Sequence, residues 1–241
     1  MIYRNIIEKA GKQRQFAILI DPDKQSRDSL IDIVCEASAK AVDFLLLGGS
    51  LISTPVDTYV QIIKEHCDLP VLLFPGSLLQ ISEHADAILL LSLISGRNPD
   101  FLVGNQVVAA PLLKKSGLEI IPTGYMLIDS GKLTSVEYMS NTKPIPADKL
   151  DIAVATSIAG EMLGNKLIYL EAGSGAPAPV PAEIVRKVRE NISIPLIVGG
   201  GLRTSVEIRA VCDAGADIIV VGTAIERDHS LIEEFAKIIH S

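Results

Sequence analysis

Apolar residues in this chain come in short unbroken runs, each ended by glycine, proline or acidic residues and most followed by apolar positions three and four apart. The runs fall at 15–20, 42–47, 70–74, 86–91, 119–127, 166–170, 194–198 and 217–221. A run without polar alternation suits a strand buried on both faces, as parallel strands between helices are. Ser26 predicts the cap of a helix with Leu30, Ile31, Ile33 and Val34 inward, and Thr54-Pro55 opens a second with Val56, Tyr59, Val60 and Ile63 inward. Further helical patterns lie at about 101–115, 148–163, up to 189, from Arg203 onward, and at 229–240. After the third run only 78–83 is available, so the third helix is expected to be stunted or absent. Pro122 and Gly124 make the fifth strand irregular. The polar stretch 129–146 is too long for an ordinary connection, and such loops in compact domains are functional or disordered.

Eight strands alternating with helices predict a closed (β/α)8 TIM barrel, with 1–241 as one domain, since that fold takes about 250 residues. An open doubly wound sheet alternates in the same way. Two features favour closure: the count of eight, and the glycines directly after the last two strands, Gly199-Gly200-Gly201 and Gly222-Thr223.

Composition narrows the function. Hydrophobic residues make up 48% and charged residues 21% of the chain, enough for a large core, and the near absence of aromatics makes that core aliphatic. Mean hydropathy is +0.36, yet no uncharged apolar run reaches the roughly 18 residues of a membrane span. The surplus suits buried strands and an apolar pocket. A formal net charge of −7 argues against a nucleic-acid partner. Cys35, Cys67 and Cys212 have no paired spacing, so neither a disulfide framework nor a zinc site is expected, and the N-terminus carries no signal-peptide core. The expected location is the cytoplasm.

In a barrel the chemistry sits at the C-terminal strand ends, here Asp21, Ser50, Pro75, Ser92, Tyr125, Glu171, Gly200 and Gly222. Glycines there bare backbone N–H groups, and helix N-termini behind them add positive dipole, which makes a phosphate cup; Gly173-Ser174-Gly175 would complete it from a third loop. Asp21 follows a wholly apolar strand, so its carboxylate should face the mouth and could hold a divalent or other cation. Its plainer reading is a helix N-cap, a task for which Asp23 or Ser26 is better placed. Mg²⁺ needs few protein ligands, so Asp21 with Ser50 would suffice, although Ser50 is equally well a turn residue. Glu171, beside the cup, is suited to accept a proton from a substrate hydroxyl, against the plainer reading of a salt bridge to Lys24 or Arg203. The four histidines lie away from the strand ends, which leaves out a Ser-His-Asp or zinc arrangement.

The stretches Asp21-Pro22-Asp23-Lys24, Gly48-Gly49-Ser50, Ser95-Gly96-Arg97-Asn98-Pro99, Asn141-Thr142-Lys143-Pro144-Ile145-Pro146 and Tyr169-Leu170-Glu171-Ala172-Gly173-Ser174-Gly175, with the two final glycine turns, span nearly the whole chain. Together they strongly resemble the family of geranylgeranylglyceryl phosphate synthase and its heptaprenyl-using relatives. The glycine turns are common to many phosphate-binding barrels, whereas the fourth and fifth stretches are specific. The resemblance implies a TIM barrel with an irregular or missing third helix, and a Mg²⁺-dependent ether-forming transfer of a polyprenyl group, geranylgeranyl or another length, from its diphosphate to sn-glycerol 1-phosphate. It implies Asp21 and Ser50 as metal ligands. It further implies that Tyr169, Glu171, Gly173, Ser174, Gly175, Gly200, Gly201, Gly222 and Thr223 hold the glycerol phosphate, with Tyr169 and Glu171 at the chemistry. One branch of the family carries a lysine two residues before the Asp21 position. Leu19 stands there in this chain, which points to the other branch. A homo-oligomer with no transmembrane segment, touching membrane lipid at most peripherally, is the expected form. Sugar-phosphate isomerases and aldolases share the cup but usually place a lysine or an acid–base pair at strand ends, and a non-catalytic phosphate binder is a third reading.

Overall fold

A computed structural model describes all 241 residues. Eight parallel strands close into one barrel in sequence order: β1 (Gln15–Ile20), β2 (Phe44–Leu47), β3 (Val71–Leu73), β4 (Ala87–Leu93), β5 (Glu119–Leu127), β6 (Leu167–Glu171), β7 (Leu196–Gly199) and β8 (Ile218–Val221). The open-sheet alternative is thereby removed. Closure is by β1 against β8, with Ile18 opposite Val221.

Each strand is buried on both faces, and parity sorts its side chains. Ala17, Leu46, Leu89, Tyr125, Leu167, Tyr169, Ile197 and Val220 fill the barrel interior. Phe16, Ile18, Ile20, Leu45, Leu47, Leu170 and Val198 face the helices. Both sets are apolar, which is why the runs show no alternation. The same parity carries function: Tyr169 and Glu171 share the inward face of β6, and Asp21 continues the inward series of Ala17 and Leu19.

The helices are α1 (Ile2–Lys9), α2 (Arg27–Ala39), α3 (Val56–His66), α4 (Asn105–Ser116), α5 (Ser135–Ser140), α6 (Leu150–Met162), α7 (Ala182–Arg189), α8 (Ser205–Asp213), α9 (Thr223–Arg227) and α10 (Leu231–Ile239). Ser26 caps α2 by accepting from Ser29 N, and Thr204 with Glu207 forms a full capping box on α8. No helix joins β3 to β4; residues 74–86 run as turns, as expected. The pattern at 101–115 resolves into a single π turn, Asp100–Gly104, ahead of α4.

Several strand starts move inward. Ala41 adopts φ 59, so Val42 ends a turn and β2 begins at Phe44. The 194–195 pair, with its proline, precedes β7, while β6 gains Glu171. α1, α5 and α9 were not expected as helices. α1 plugs the N-terminal end of the barrel: Ile6 enters the interior cluster, and Glu119 accepts from Ile2 N and Tyr3 N at 2.5 and 3.0 Å. Asp43, Asp86 and Asp217 at the same end accept from Phe16 N, Val71 N and Leu196 N at 2.7–2.8 Å. These acids secure the frame at the end opposite the mouth. No helix is long and apolar enough to cross a membrane.

Candidate active site

Glu171 is the last residue of β6 and is buried, 4% exposed. Its Oε1 accepts from Gly173 N at 2.6 Å and makes no salt bridge. Lys24 pairs instead with Asp21, and Arg203 donates to the carbonyls of Ala176 and Pro177. Enclosure without a cation pushes the Glu171 carboxyl up to about 7, and the Gly173 N–H and the nearby Tyr169 hydroxyl pull it partly back. That hydroxyl is wholly enclosed and makes no hydrogen bond of regular geometry. Burial, with the Glu171 charge behind it, holds the Tyr169 phenol well above its ordinary pKa.

The β6 and β7 turns meet at this carboxyl. A Cβ added to Gly200 (φ 78) would overlap Glu171 Oε1 and come within 2.7 Å of Gly173 N and 2.9 Å of Ala172 N. One added to Gly201 would lie 2.7 Å from the Ala178 carbonyl. The N–H groups of Ser174, Gly175, Gly200 and Gly201 donate to nothing within the chain. Unpaired donors gathered on two adjoining turns suit an anion. Gly222 closes this side of the mouth against the Leu19 carbonyl, 3.1 Å from a Cβ position, and Thr223 opens α9 immediately behind it.

Asp21 lies at the C-terminal end of β1, next to β8. It does cap a short turn, accepting from Asp23 N at 3.3 Å, so the plainer reading holds as well. Asp23 has a different task from capping: it accepts from Ser53 N (2.7 Å), Ser53 Oγ (2.9 Å) and Thr54 N (3.1 Å), tying the β1 loop to the β2 loop. The Asp21 carboxylate reaches Lys24 Nζ at 2.7 Å and lies 3.3–3.4 Å from the Cβ position of Gly49, beside Ser50. Glu226, which the sequence reading passed over, accepts from Asp21 N at 3.4 Å; burial raises its pKa and the Lys24 charge lowers it. No cluster of three or more His, Cys, Asp or Glu side chains is present.

An apolar groove of about 900 Å³, counting its open side, runs from Gly49 and Ser50 along the helix-free edge to Leu90, Ala109 and Leu113. Phe74 and Tyr125 line it, and both pack on Tyr169, with ring centroids 5.2 Å apart for Phe74–Tyr169 and 5.5 Å for Tyr125–Tyr169. The three rings form one cluster, Phe74 stacked on Tyr169 and Tyr125 set edge-on to it, that links the lining of the groove to the surroundings of the enclosed carboxyl. α5 roofs the same region: Val136, Met139 and Ser140 line the groove, and Thr134 lies within 2.9 Å of a Cβ position on Gly173. The roof was legible in part, since Thr134 and Glu137 have N-cap spacing and Thr134 accepts from Glu137 N.

The sequence profile of the PcrB family matches residues 8–239. The chain belongs to the PcrB family. It is 51% identical, over its full length and 96% of the relative, to a geranylgeranylglyceryl phosphate synthase of Chitinophaga pinensis. Identity is 45% over 95% of the chain, and 91% of the relative, to one of Thermococcus gammatolerans. The crystal structure of (S)-3-O-geranylgeranylglyceryl phosphate synthase from Thermoplasma acidophilum, in complex with sn-glycerol-1-phosphate, superposes with a TM-score of 0.95 at 34% identity, covering 100% of this chain and 98% of that one. In this member of the PcrB family the glycine turns and the apolar groove lie at one end of the barrel.

Proposed function

We propose that the protein joins sn-glycerol 1-phosphate to a polyprenyl diphosphate, geranylgeranyl in the first place, forming an ether and releasing diphosphate. The observation that carries this reading is the place of Glu171: an enclosed carboxyl bordering unpaired N–H donors on one side and, on the other, a cluster of three rings, two of which line the apolar groove. The full-length likeness to named synthases supports it.

The phosphate would sit on the N–H groups of Gly175, Gly200 and Gly201, with Gly173, Ser174, Gly222 and Thr223 completing the cup. This places the glycerol hydroxyl against Glu171. As that oxygen bonds to the allylic carbon and the carbon–diphosphate bond breaks, Glu171 takes the hydroxyl proton. Tyr169 lies beside the carboxyl, whose orientation is held by Gly173 N, and its hydroxyl is left without a regular partner. The faces of Tyr125 and Phe74 can stabilise positive charge developing on the allylic carbon. Positioning and charge stabilisation supply most of the acceleration, because an allylic carbon does not demand a strong nucleophile.

Asp21 and Ser50 would hold Mg²⁺. The donor set fits a small hard ion that keeps water and phosphate oxygens among its ligands: one carboxylate facing the Gly49-Ser50 turn, and no His or Cys. Lys24, itself about half-exposed, already sets a positive charge against Asp21, so the site accommodates a cation beside this carboxylate. Held there, Mg²⁺ would supply positive charge against the departing diphosphate.

Incubation with glycerol 1-phosphate, prenyl diphosphates of increasing length and Mg²⁺ should release diphosphate and give an ether product. EDTA should lower the rate more than a hundredfold, with Mg²⁺ restoring it, an effect of the size expected of a charge-neutralising ion. Full activity in chelator would remove Asp21 and Ser50 from the role of ligands. Self-association is proposed as well, supported by the exposed Val107, Val108 and Leu112 along α4; sedimentation measures it.

A further inference from the structure

Between β3 and β4 the chain lacks a helix, and one side chain there is polar yet almost wholly buried. Gln80 is 3% exposed. Its Oε1 accepts from Gly49 N at 3.3 Å and Gly76 N at 3.0 Å, and its Nε2 donates to the Gly49 carbonyl at 2.7 Å. Only one orientation of the amide satisfies all three contacts, because both N–H groups need the oxygen and the carbonyl needs the nitrogen. Gln80 therefore grips both polar groups of the residue that precedes Ser50. The turn is pressed from the same side by Gly76, whose Cβ position lies 2.8 Å from Ser50 Cα. On its other flank Gly49 faces the Asp21 carboxylate at 3.3 Å from its own Cβ position.

The neighbours of Gln80 look the other way. Leu78 and Ile81 line the apolar groove and pack partly buried against the core. A single short segment thus touches the groove through two side chains and the Ser50 turn through the third. With a regular helix in this place, a longer path would separate the two.

We propose that Gln80 is a positioning residue that holds Ser50 in register with Asp21 and links that register to filling of the groove by the prenyl tail. The proposal rests on the prenyltransferase reading above. A tail packed on Leu78 and Ile81 restrains the segment, Gln80 passes the restraint to Gly49, and the head-group site is completed only when the tail is seated. Binding energy from an unreacting part of the substrate is then used at the reacting carbon, so that a short tail costs turnover as well as affinity.

The test compares wild type with Gln80→Ala and Gln80→Glu. Mn²⁺ binding in the presence of inorganic diphosphate, read by electron paramagnetic resonance, should weaken about tenfold, the scale seen for residues that orient metal ligands. Glycerol 1-phosphate affinity by calorimetry should stay within about twofold, since the cup is on the other side of the mouth. The kcat advantage of a long over a short prenyl diphosphate should shrink by about tenfold in both variants. Gln80→Glu keeps the two acceptor contacts and the side-chain volume but sets a repelling oxygen against the Gly49 carbonyl in place of the donor. It therefore loosens the grip on Gly49 without opening a cavity and reports even if the alanine variant does not fold. A lowered Tm with unchanged Mn²⁺ binding and an unchanged long-to-short ratio would reduce Gln80 to a fold anchor and overturn the proposal. Weakened Mn²⁺ binding with the ratio unchanged would overturn the link to the tail. If wild type forms no ether product while the variants still bind Mn²⁺ more weakly, the prenyltransferase reading fails and the positioning of Ser50 stands.

Discussion

Glu171→Gln is expected to lower kcat by a factor of about 10² to 10⁴, the range for loss of a positioned general base, with little change in glycerol phosphate affinity. The amide keeps an oxygen for Gly173 N and can still meet a substrate hydroxyl, but it cannot take the proton. In the wild type, kcat/KM should rise with pH through about 7, where the free carboxyl loses its proton, and the variant should lose that limb. The same substitution should stabilise the fold in alkaline solution. The folded pKa is raised from 4.5 to about 7, so the wild type holds its full stability below about 4.5 and loses it as pH rises through 7. The shift corresponds to roughly 3 kcal/mol at pH 8, or a Tm higher in the variant by about 6–10 °C, converging toward pH 4.5. Thermal melts of both proteins at pH 4.5, 6 and 8 measure it. A Tm difference that does not change with pH would mean the carboxyl is not held near neutrality, and undiminished turnover would remove it as the base.

Gly200→Ala should be among the most damaging single methyl additions in the molecule. Gly200 sits at φ 78, where a side chain costs about 1 kcal/mol, and the new Cβ would overlap Glu171 Oε1 and crowd Gly173 N and Ala172 N. To relieve the overlap, either the base or the β6 turn must move, and both belong to the proposed site. A displacement of about 1 Å in such a site costs about a hundredfold in rate, and loss of phosphate donors adds to it, so kcat/KM should fall by about 10³ or more with the glycerol phosphate KM raised. Stability should drop by about 2–3 kcal/mol. Gly117→Ala is the control: its φ is 75 but nothing lies within 4 Å of its Cβ position, so it should lose about 1 kcal/mol of stability and no activity. Equal activity losses in the two variants would show that the damage at Gly200 is backbone strain rather than collision with the site.

The two predictions draw on different kinds of information. That Glu171 ends a buried strand beside a glycine turn is visible along the chain, because strand runs and turn residues are local signals. Its pKa is not, since enclosure depends on Tyr169, Tyr125 and the α5 roof arriving from elsewhere. Asp21 illustrates the same boundary. Its place at the end of β1 and a capping role were both readable, but not its contact with Lys24. Gln80 gave almost no local signal, a lone amide in the run Leu78-Leu79-Gln80-Ile81, and its three contacts cross more than one loop.

From the order of residues alone came the eight buried strands, the missing third helix, and the glycine turns and acids at the strand ends, since each is written in periods and turn chemistry within a few neighbours. Folding in three dimensions decided which turns touch, that the cup and the groove open at one mouth, and that a carboxyl between them is left without a cation. Those are relations between segments far apart in the chain, set by barrel closure and by which side chains exclude water, and no local pattern encodes them.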